Sequence, residues 1–431
     1  MDKLILAAAL FIITYIFMIK FVNHRPLVVG ISALVFIILN IVPVNTIWGA
    51  IDFNVLLMIG GTMMLVSLFS ESLMPTRLAD LIINKVKDIR LIILFLSLFA
   101  GFVSAFIDNV ATVLMIAPVA MSLAKKLKIS PVKMIIAISI SSNLQGAATL
   151  VGDTSSILLG SALNMTFFDF FVYHGRMGMF WIVQISAIFA TAFIYFAIRD
   201  MKGKVDAIEV TKVKDMMPTY LVILMIVLLI FASFIPQEEK IDILNGLICV
   251  GVSVFGVIYH LLRHKDSSII KTVASEIDFN TLGLLAGLFI IISGIENAGV
   301  IDEIAKLFIK LADRPLLLYT ALVWGSVLIS AFVDNIPYVA TMLPVLSVIS
   351  THVPFDMTVF YFGLLSGATL GGNITPIGAS ANIASLGILK EAGYTVENKD
   401  FMKMSVPFTL TAVLVGYVLV WFIYRSVSYT H

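Results

Sequence analysis

The hexapeptide Ser104-Ala105-Phe106-Ile107-Asp108-Asn109 returns as Ser330-Ala331-Phe332-Val333-Asp334-Asn335, 226 residues further on. The offset holds without a gap over a long span. Ile51-Asp52-Phe53-Asn54 aligns with Ile277-Asp278-Phe279-Asn280, Gly61 with Gly287, Pro118 with Pro344, Gly146 with Gly372, Thr149 with Thr375 and Gly152 with Gly378. The chain must therefore build one structural unit twice. Each copy sets an Asp-Asn pair inside one of its most apolar stretches, where an ionisable group is costly unless something compensates it.

Composition fixes the solvent. Hydrophobic residues make up 60% of 431 and charged residues 13%, with a mean hydropathy of +1.05. Most apolar runs reach the roughly 17–25 residues that cross a bilayer. The expected class is an all-α polytopic membrane protein. A net charge of +1 gives no case for nucleic acid. The lone Cys249 can form no disulfide within the chain.

In the first half, crossings are expected near 4–22, 27–43 and 53–70. A polar amphipathic stretch follows at 71–90, then an apolar pair, 91–107 and 109–127, interrupted at Asp108-Asn109. A broken segment at 132–163 and a crossing at 177–198 complete it. The second half repeats this order: 218–235, 241–262, 277–296, amphipathic 299–313, interrupted 315–332 and 335–350, broken 358–389, and 403–424. Residues 1–198 and 218–431 thus read as two repeats, and the mixed-charge linker 199–217 as a solvated connector. The run after Met1 is as long as the other spans and no small-residue cleavage site follows it, so it reads as a crossing and not as a signal peptide. Trp48, Trp181, Trp324 and Trp421 fall near segment ends, as interfacial residues do.

If each interrupted pair enters and leaves on one side, each half has five crossings, and the halves are inverted relative to one another. About three in four of the 28 Lys and Arg residues then share one face, Lys20, Arg25, Lys202, Lys204, Lys265 and Lys271 among them. The positive-inside rule makes that face cytoplasmic and leaves both termini outside, in the plasma (inner) membrane.

The chemistry gathers at the interruptions. A break inside an apolar span frees backbone groups that lipid cannot satisfy, so it survives only against protein or a water-filled cavity. The half-helix after the break aims its positive end at the tip, and the one before it aims its carbonyls there. Asp108 and Asp334 add a full negative charge to this cradle, which suits Na⁺ or a proton. The bland alternative is that each Asp only caps the helix that follows it. The broken segments carry the second set of candidates: Asn143, Thr149, Gly152, Asp153 and Thr154 in the first half, and Asn373, Thr375, Gly378, Ser380 and Asn382 in the second. Glycines let backbone approach an ion, and Ser, Thr and Asn supply oxygens. The alternative is a small-residue face for close helix packing. Asp153 has no acidic counterpart, since Ala379 stands at its position; it is either one-sided chemistry or a helix cap. Asp52 and Asp278 read as N-caps, and Glu71 and Glu296 as helix-end charges. The six histidines, His431 included, show no metal-ligand spacing.

At these residues the chain resembles the ion transporter superfamily, which includes arsenite permeases, NhaD-type sodium/proton antiporters, the melanosomal P protein and divalent-anion/sodium symporters. The block Phe106-Ile107-Asp108-Asn109-Val110-Ala111-Thr112-Val113-Leu114-Met115 resembles the P protein and NhaD pattern, as does Phe332-Val333-Asp334-Asn335-Ile336-Pro337. Gly146-Ala147-Ala148-Thr149-Leu150-Val151-Gly152-Asp153 and Gly372-Asn373-Ile374-Thr375-Pro376-Ile377-Gly378 resemble that superfamily's broken-helix motifs. The resemblance implies two re-entrant hairpins and two broken helices, a homodimer, and an elevator motion of the hairpin domain against a scaffold. It adds Thr112 to the candidate site. Two departures stand out. Dicarboxylate symporters of the superfamily carry Ser-Asn-Thr at the hairpin tips, where this chain has Asp108-Asn109-Val110 and Asp334-Asn335-Ile336. The P protein pattern has Gly-Asp-Pro-Pro-Asn where Gly152-Asp153-Thr154-Ser155-Ser156 lacks both prolines.

These readings converge on a secondary active transporter coupled to Na⁺ or H⁺ that moves a small ion, without a bound cofactor. One cation is expected at Asp108 and Asn109, a second at Asp334 and Asn335. An arsenite or other anion permease is the alternative, an ion channel a weaker one. An enzyme is not expected, because neither metal-spaced His/Glu nor a nucleophile paired with a base occurs.

Overall fold

The computed structural model describes residues 3–21, 24–201, 203, 205, 208–236, 238–353 and 355–425. Met1, Lys202, Lys204 and His431, which enter the reading above, lie outside the described residues. The chain forms an all-helical, multi-span membrane protein. In order come α1 (Lys3–Lys20), α2 (Arg25–Ile38), α3 (Ile47–Ala50), α4 (Phe53–Glu71), α5 (Met74–Lys85), α6 (Ile89–Ser104), α7 (Asn109–Leu127), α8 (Val132–Gly146), α9 (Thr154–Ala162) and α10 (Met179–Ala197). Then follow α11 (Met217–Ala232), α12 (Leu244–His264), α13 (Ser268–Glu276), α14 (Phe279–Asn297), α15 (Val300–Ile309), α16 (Pro315–Ser330), α17 (Asn335–Ser350), α18 (Thr358–Gly371), α19 (Ser380–Glu391) and α20 (Asn398–Tyr424). A two-residue antiparallel hairpin, β1 (Val172–Tyr173) and β2 (Arg176–Met177), interrupts the helices. Among the described residues seven helices are long and apolar enough to cross a membrane: α1, α4, α7, α10, α12, α14 and α20.

The helix ends follow local chemistry. Proline stands in the first turn of α2, α5, α11 and α16, where its missing N–H is no loss. Asp52 and Asp278 are the expected caps: each Oδ1 accepts from the backbone N–H three residues on, Val55 at 3.0 Å and Thr281 at 3.1 Å. Helix α2 stops at Ile38, short of the 27–43 span read from hydropathy. Asn40 turns left-handed (φ 51°), and the Ile41 N–H closes back on the Phe36 carbonyl at 2.9 Å. Apolarity continues past this stop, so hydropathy alone overran it.

Packing pairs equivalent elements. Helix α4 lies along α12 and α14 along α2, while α6 lies along α8 and α16 along α18; α10 lies along its own counterpart α20. Small residues permit these approaches, since lipid gives helices no hydrophobic reason to associate and close contact must do it. A Cβ on Gly61 would sit 2.6 Å from the backbone of Cys249 and Val250.

The linker differs from the free connector expected of its composition. Thr211 donates its N–H (2.9 Å) and hydroxyl (2.6 Å) to Asp80 Oδ2. Asn84, one turn along α5, accepts from the Ile208 N–H at 2.7 Å and donates to the Ile208 carbonyl at 2.8 Å. An extended segment carries backbone groups that need partners, and two α5 side chains four residues apart supply them.

Candidate functional site

Two helix–turn–helix tips meet two unwound segments at the centre of the chain. Helix α6 ends at Ser104 and α7 begins at Asn109, and α16 and α17 repeat this at Ser330 and Asn335. Asp108 Oδ1 accepts from the N–H groups of Val110 (2.9 Å) and Ala111 (3.1 Å), and Asp334 Oδ1 from that of Ile336 (3.2 Å). Both carboxylates do cap their helices, and each keeps a second oxygen for other work.

Each tip is locked to the break in its own half. The Thr149 hydroxyl donates to the Ala105 carbonyl, and the Thr375 hydroxyl to the Ala331 carbonyl. Beside them sit Gly152 and Gly378. A Cβ on Gly152 would lie 2.6–2.8 Å from the carbonyl oxygens of Gly146, Ala105 and Ser104. On Gly378 it would lie 2.6–2.9 Å from those of Gly372, Ala331 and Ser330. Backbone oxygens thus converge on each glycine, which is why no side chain can stand there.

A buried amide network joins the halves. Asn109 Nδ2 donates to Asn143 Oδ1 at 2.9 Å. Asn143 Nδ2 donates in turn to the Thr369 carbonyl (3.0 Å) and to Asn373 Oδ1 (3.1 Å), and Asn373 Nδ2 to the Ile140 carbonyl (2.9 Å). Asn382 accepts from Ser139 at 2.8 Å and donates to the carbonyls of Gly372 and Thr375. With nearly every donor and acceptor paired, such a network fixes one arrangement of the core. Thr112 is fully buried at the start of α7, and its hydroxyl has no hydrogen-bond partner among the described residues.

The two tips then diverge. Asp108 opens on a cavity of about 450 Å³, whose wall includes Asp153, Thr154, Ser67, Ser380, Glu276 and Asp278. Glu276 and Asp278 are exposed and mark its mouth. Among the described residues no Lys or Arg lines it. The Ser67 hydroxyl is buried without a hydrogen-bond partner among the described residues. Asp153 makes no capping hydrogen bond with α9 and instead accepts from Asn335 Nδ2 at 3.0 Å, across the halves. Asp334 Oδ2 takes the Arg25 guanidinium at 2.9 Å and the Ser380 hydroxyl at 3.2 Å.

Arg25 was counted above among the charges at a water-facing segment end. It is instead 8% exposed, at the first turn of α2. A guanidinium at that depth needs a carboxylate, and Asp334 provides it. The position equivalent to Arg25 in α12 is Gly251. Sequence reasoning also passed over Ser67, although Ser293 repeats it at the 226-residue offset, and Glu276, whose counterpart is Ala50.

The citrate transporter family profile matches residues 8–360 and 252–431. A 46 kDa membrane protein of Mycobacterium leprae is 28% identical over 434 residues, covering 98% of this chain and 100% of that protein. The human P protein is 27% identical over 85% of this chain, which spans 53% of the P protein's length. Among solved structures, the YdaH transporter of Alcanivorax borkumensis superposes with a TM-score of 0.60 at 13% identity, covering 88% of this chain and 87% of that one. MtrF of Neisseria gonorrhoeae gives 0.57 at 14%, covering 90% and 84%. At these identities the structures speak for a shared fold. The chain belongs to the citrate transporter family of the ion transporter superfamily, and is a secondary transporter rather than an enzyme.

Proposed function

We propose that this transporter is driven by Na⁺ or H⁺, and that the coupling cation binds at Asp108 on the wall of the acidic cavity. The observation that carries this is the lining itself: Asp108, Asp153, Glu276 and Asp278, with no basic residue among the described residues. Two like charges about 4 Å apart repel by roughly 4 kcal/mol at an effective dielectric of 20. A lone anion entering this cavity meets that penalty more than once, so a cation enters first or with it. The citrate of the family's name would therefore need the cation already in place. The Thr154 and Ser67 side chains on the same wall support a hard cation as the ligand.

The 226-residue repeat, with turns at Asp108 and Asp334 and breaks at 147–153 and 372–379, supports two inverted repeats of five crossings, each with a re-entrant hairpin and a broken helix. On that topology the face bearing Lys265 and Lys271 is cytoplasmic, in the plasma (inner) membrane with both termini outside. The cavity mouth at Glu276 is on α13, the helix that also bears Lys271, so on that topology this conformation opens inward. The hairpin bundle would carry the cation by an elevator motion against a scaffold, in a homodimer. Reconstituted protein under imposed Na⁺, pH and voltage gradients, with a panel of small ions, tests the reading. Uphill flux driven by a Na⁺ or pH gradient supports it. Flux that only dissipates gradients makes the protein a channel and ends it.

A further inference from the structure

The two halves offer equivalent carboxylates in unequal surroundings. Both Asp108 cap bonds end on Oδ1, and the residue lines the open cavity. Asp334 is capped through Oδ1 as well, but its Oδ2 is taken by the Arg25 guanidinium at 2.9 Å and by the Ser380 hydroxyl. The Asp334 and Arg25 side chains are 8% and 9% exposed. Arg25 is held from behind as well, its Nε donating to the Met18 carbonyl at 3.4 Å. A guanidinium stays protonated throughout the accessible pH range and pairs with a carboxylate better than a hydrated ion does. The repeat shows what has been added: at the equivalent place in the other half, α12 carries Gly251, and among the described residues no Lys or Arg lines the cavity at Asp108.

We propose that Arg25 is a built-in cation for the second of two related sites. It occupies the place at Asp334 that a mobile ion would otherwise take, so each protomer exchanges its coupling cation at Asp108 alone. Arg25 thereby sets the coupling stoichiometry. This rests on the cation-coupled reading above. Removing Arg25 leaves a buried, uncompensated carboxylate, which must recover a positive charge by binding Na⁺ or taking up a proton. One substitution converts a one-cation protomer into a two-cation protomer.

The test counts cations on purified protein: ²²Na⁺ bound at saturation at pH 8.5, together with protons taken up between pH 8.5 and pH 5 by pH-stat. Wild type, R25Q, D334N, the R25Q/D334N double variant and D108N are compared. We expect R25Q to gain one cation, Na⁺ or H⁺, per protomer relative to wild type. The double variant should return to the wild-type count, and D108N should lose one. The double variant removes both charges together, so it remains informative if either single variant fails to fold. A double variant that binds one cation fewer than wild type would mean that Asp334 exchanges an ion despite Arg25, and would overturn the proposal. A folded R25Q with an unchanged count would overturn it too. A D108N protein that keeps the wild-type count would instead remove the cation-coupled reading itself, so the two failures are distinguishable.

Discussion

Gly152→Ala is the sharpest local test of the tip-and-break geometry. The added Cβ meets three backbone carbonyl oxygens at 2.6, 2.7 and 2.8 Å, those of Gly146, Ala105 and Ser104. Ordinary carbon–oxygen contact begins near about 3.4 Å, so each overlap is several tenths of an ångström, and none of the three atoms ends a flexible side chain. Overpacking a tight core costs about 1–3 kcal/mol. Three simultaneous backbone clashes put this site at the upper end, about 3 kcal/mol, or roughly a hundredfold in the folded-to-unfolded ratio. Gly387→Ala in α19 is the control, because its Cβ meets nothing within 4 Å and an alanine inside a helix is neutral to slightly stabilising. Thermal unfolding of the detergent-solubilised proteins reads the difference, and cation-driven flux in proteoliposomes reads its consequence. We expect Gly152→Ala to unfold well below Gly387→Ala and to lose most of its flux. If the two unfold alike and both transport, the close approach of the tip to the broken segment is not what holds the site.

The other expectations follow from single contacts. Thr149→Val and Thr375→Val each strand a buried carbonyl, Ala105 or Ala331, and should destabilise by about 1–3 kcal/mol to a similar extent in both halves; a cost in one half only would break the equivalence of the two tips. Asn143→Ala strands Asn109, Asn373 and the Thr369 carbonyl together, so its cost in thermal unfolding should exceed that of either threonine variant. Asp88, at the start of α6, is held down to about 2 by the Arg90 side chain, which hydrogen-bonds it, and by its cap bonds. Its folded-state value is depressed, so its contribution to stability is complete above the ordinary carboxylate range and is lost only as pH falls toward 2. Asp88→Asn should therefore leave the pH profile of flux between pH 5 and 9 unmoved; a shifted midpoint would place Asp88 in the transport cycle.

Much of this architecture is legible in the sequence, for identifiable reasons. Apolar length and the 226-residue offset located the apolar helices, and Asp108, Asp334, Gly152 and Gly378 marked the turns and breaks, because lipid permits so few ways to interrupt a helix. The cap roles of Asp52 and Asp278 followed from their place before an apolar run. What escaped was long-range. Arg25 lies 309 residues from Asp334, and a basic residue at the end of an apolar run looks like any interfacial charge. The choice Asp153 makes between capping α9 and meeting Asn335 depends on how the halves dock, which local pattern does not encode. The linker's grip on Asp80 and Asn84 was hidden because its composition is that of a solvated loop. Helix α13 is too short and too polar for hydropathy to mark it, yet it brings Glu276 to the cavity mouth.

The central claim is that Asp108 carries the coupling cation, and Asp108→Asn in proteoliposomes tests it most directly. The substitution keeps the shape and a cap-capable oxygen and removes the charge. Flux is measured under an imposed Na⁺ gradient and, separately, an imposed pH gradient. We predict that wild type responds to at least one of them and that Asp108→Asn loses at least about 10-fold of that response, equivalent to about 1.4 kcal/mol or more, while remaining folded. Gradient-driven flux of wild-type size in the folded variant would contradict the claim.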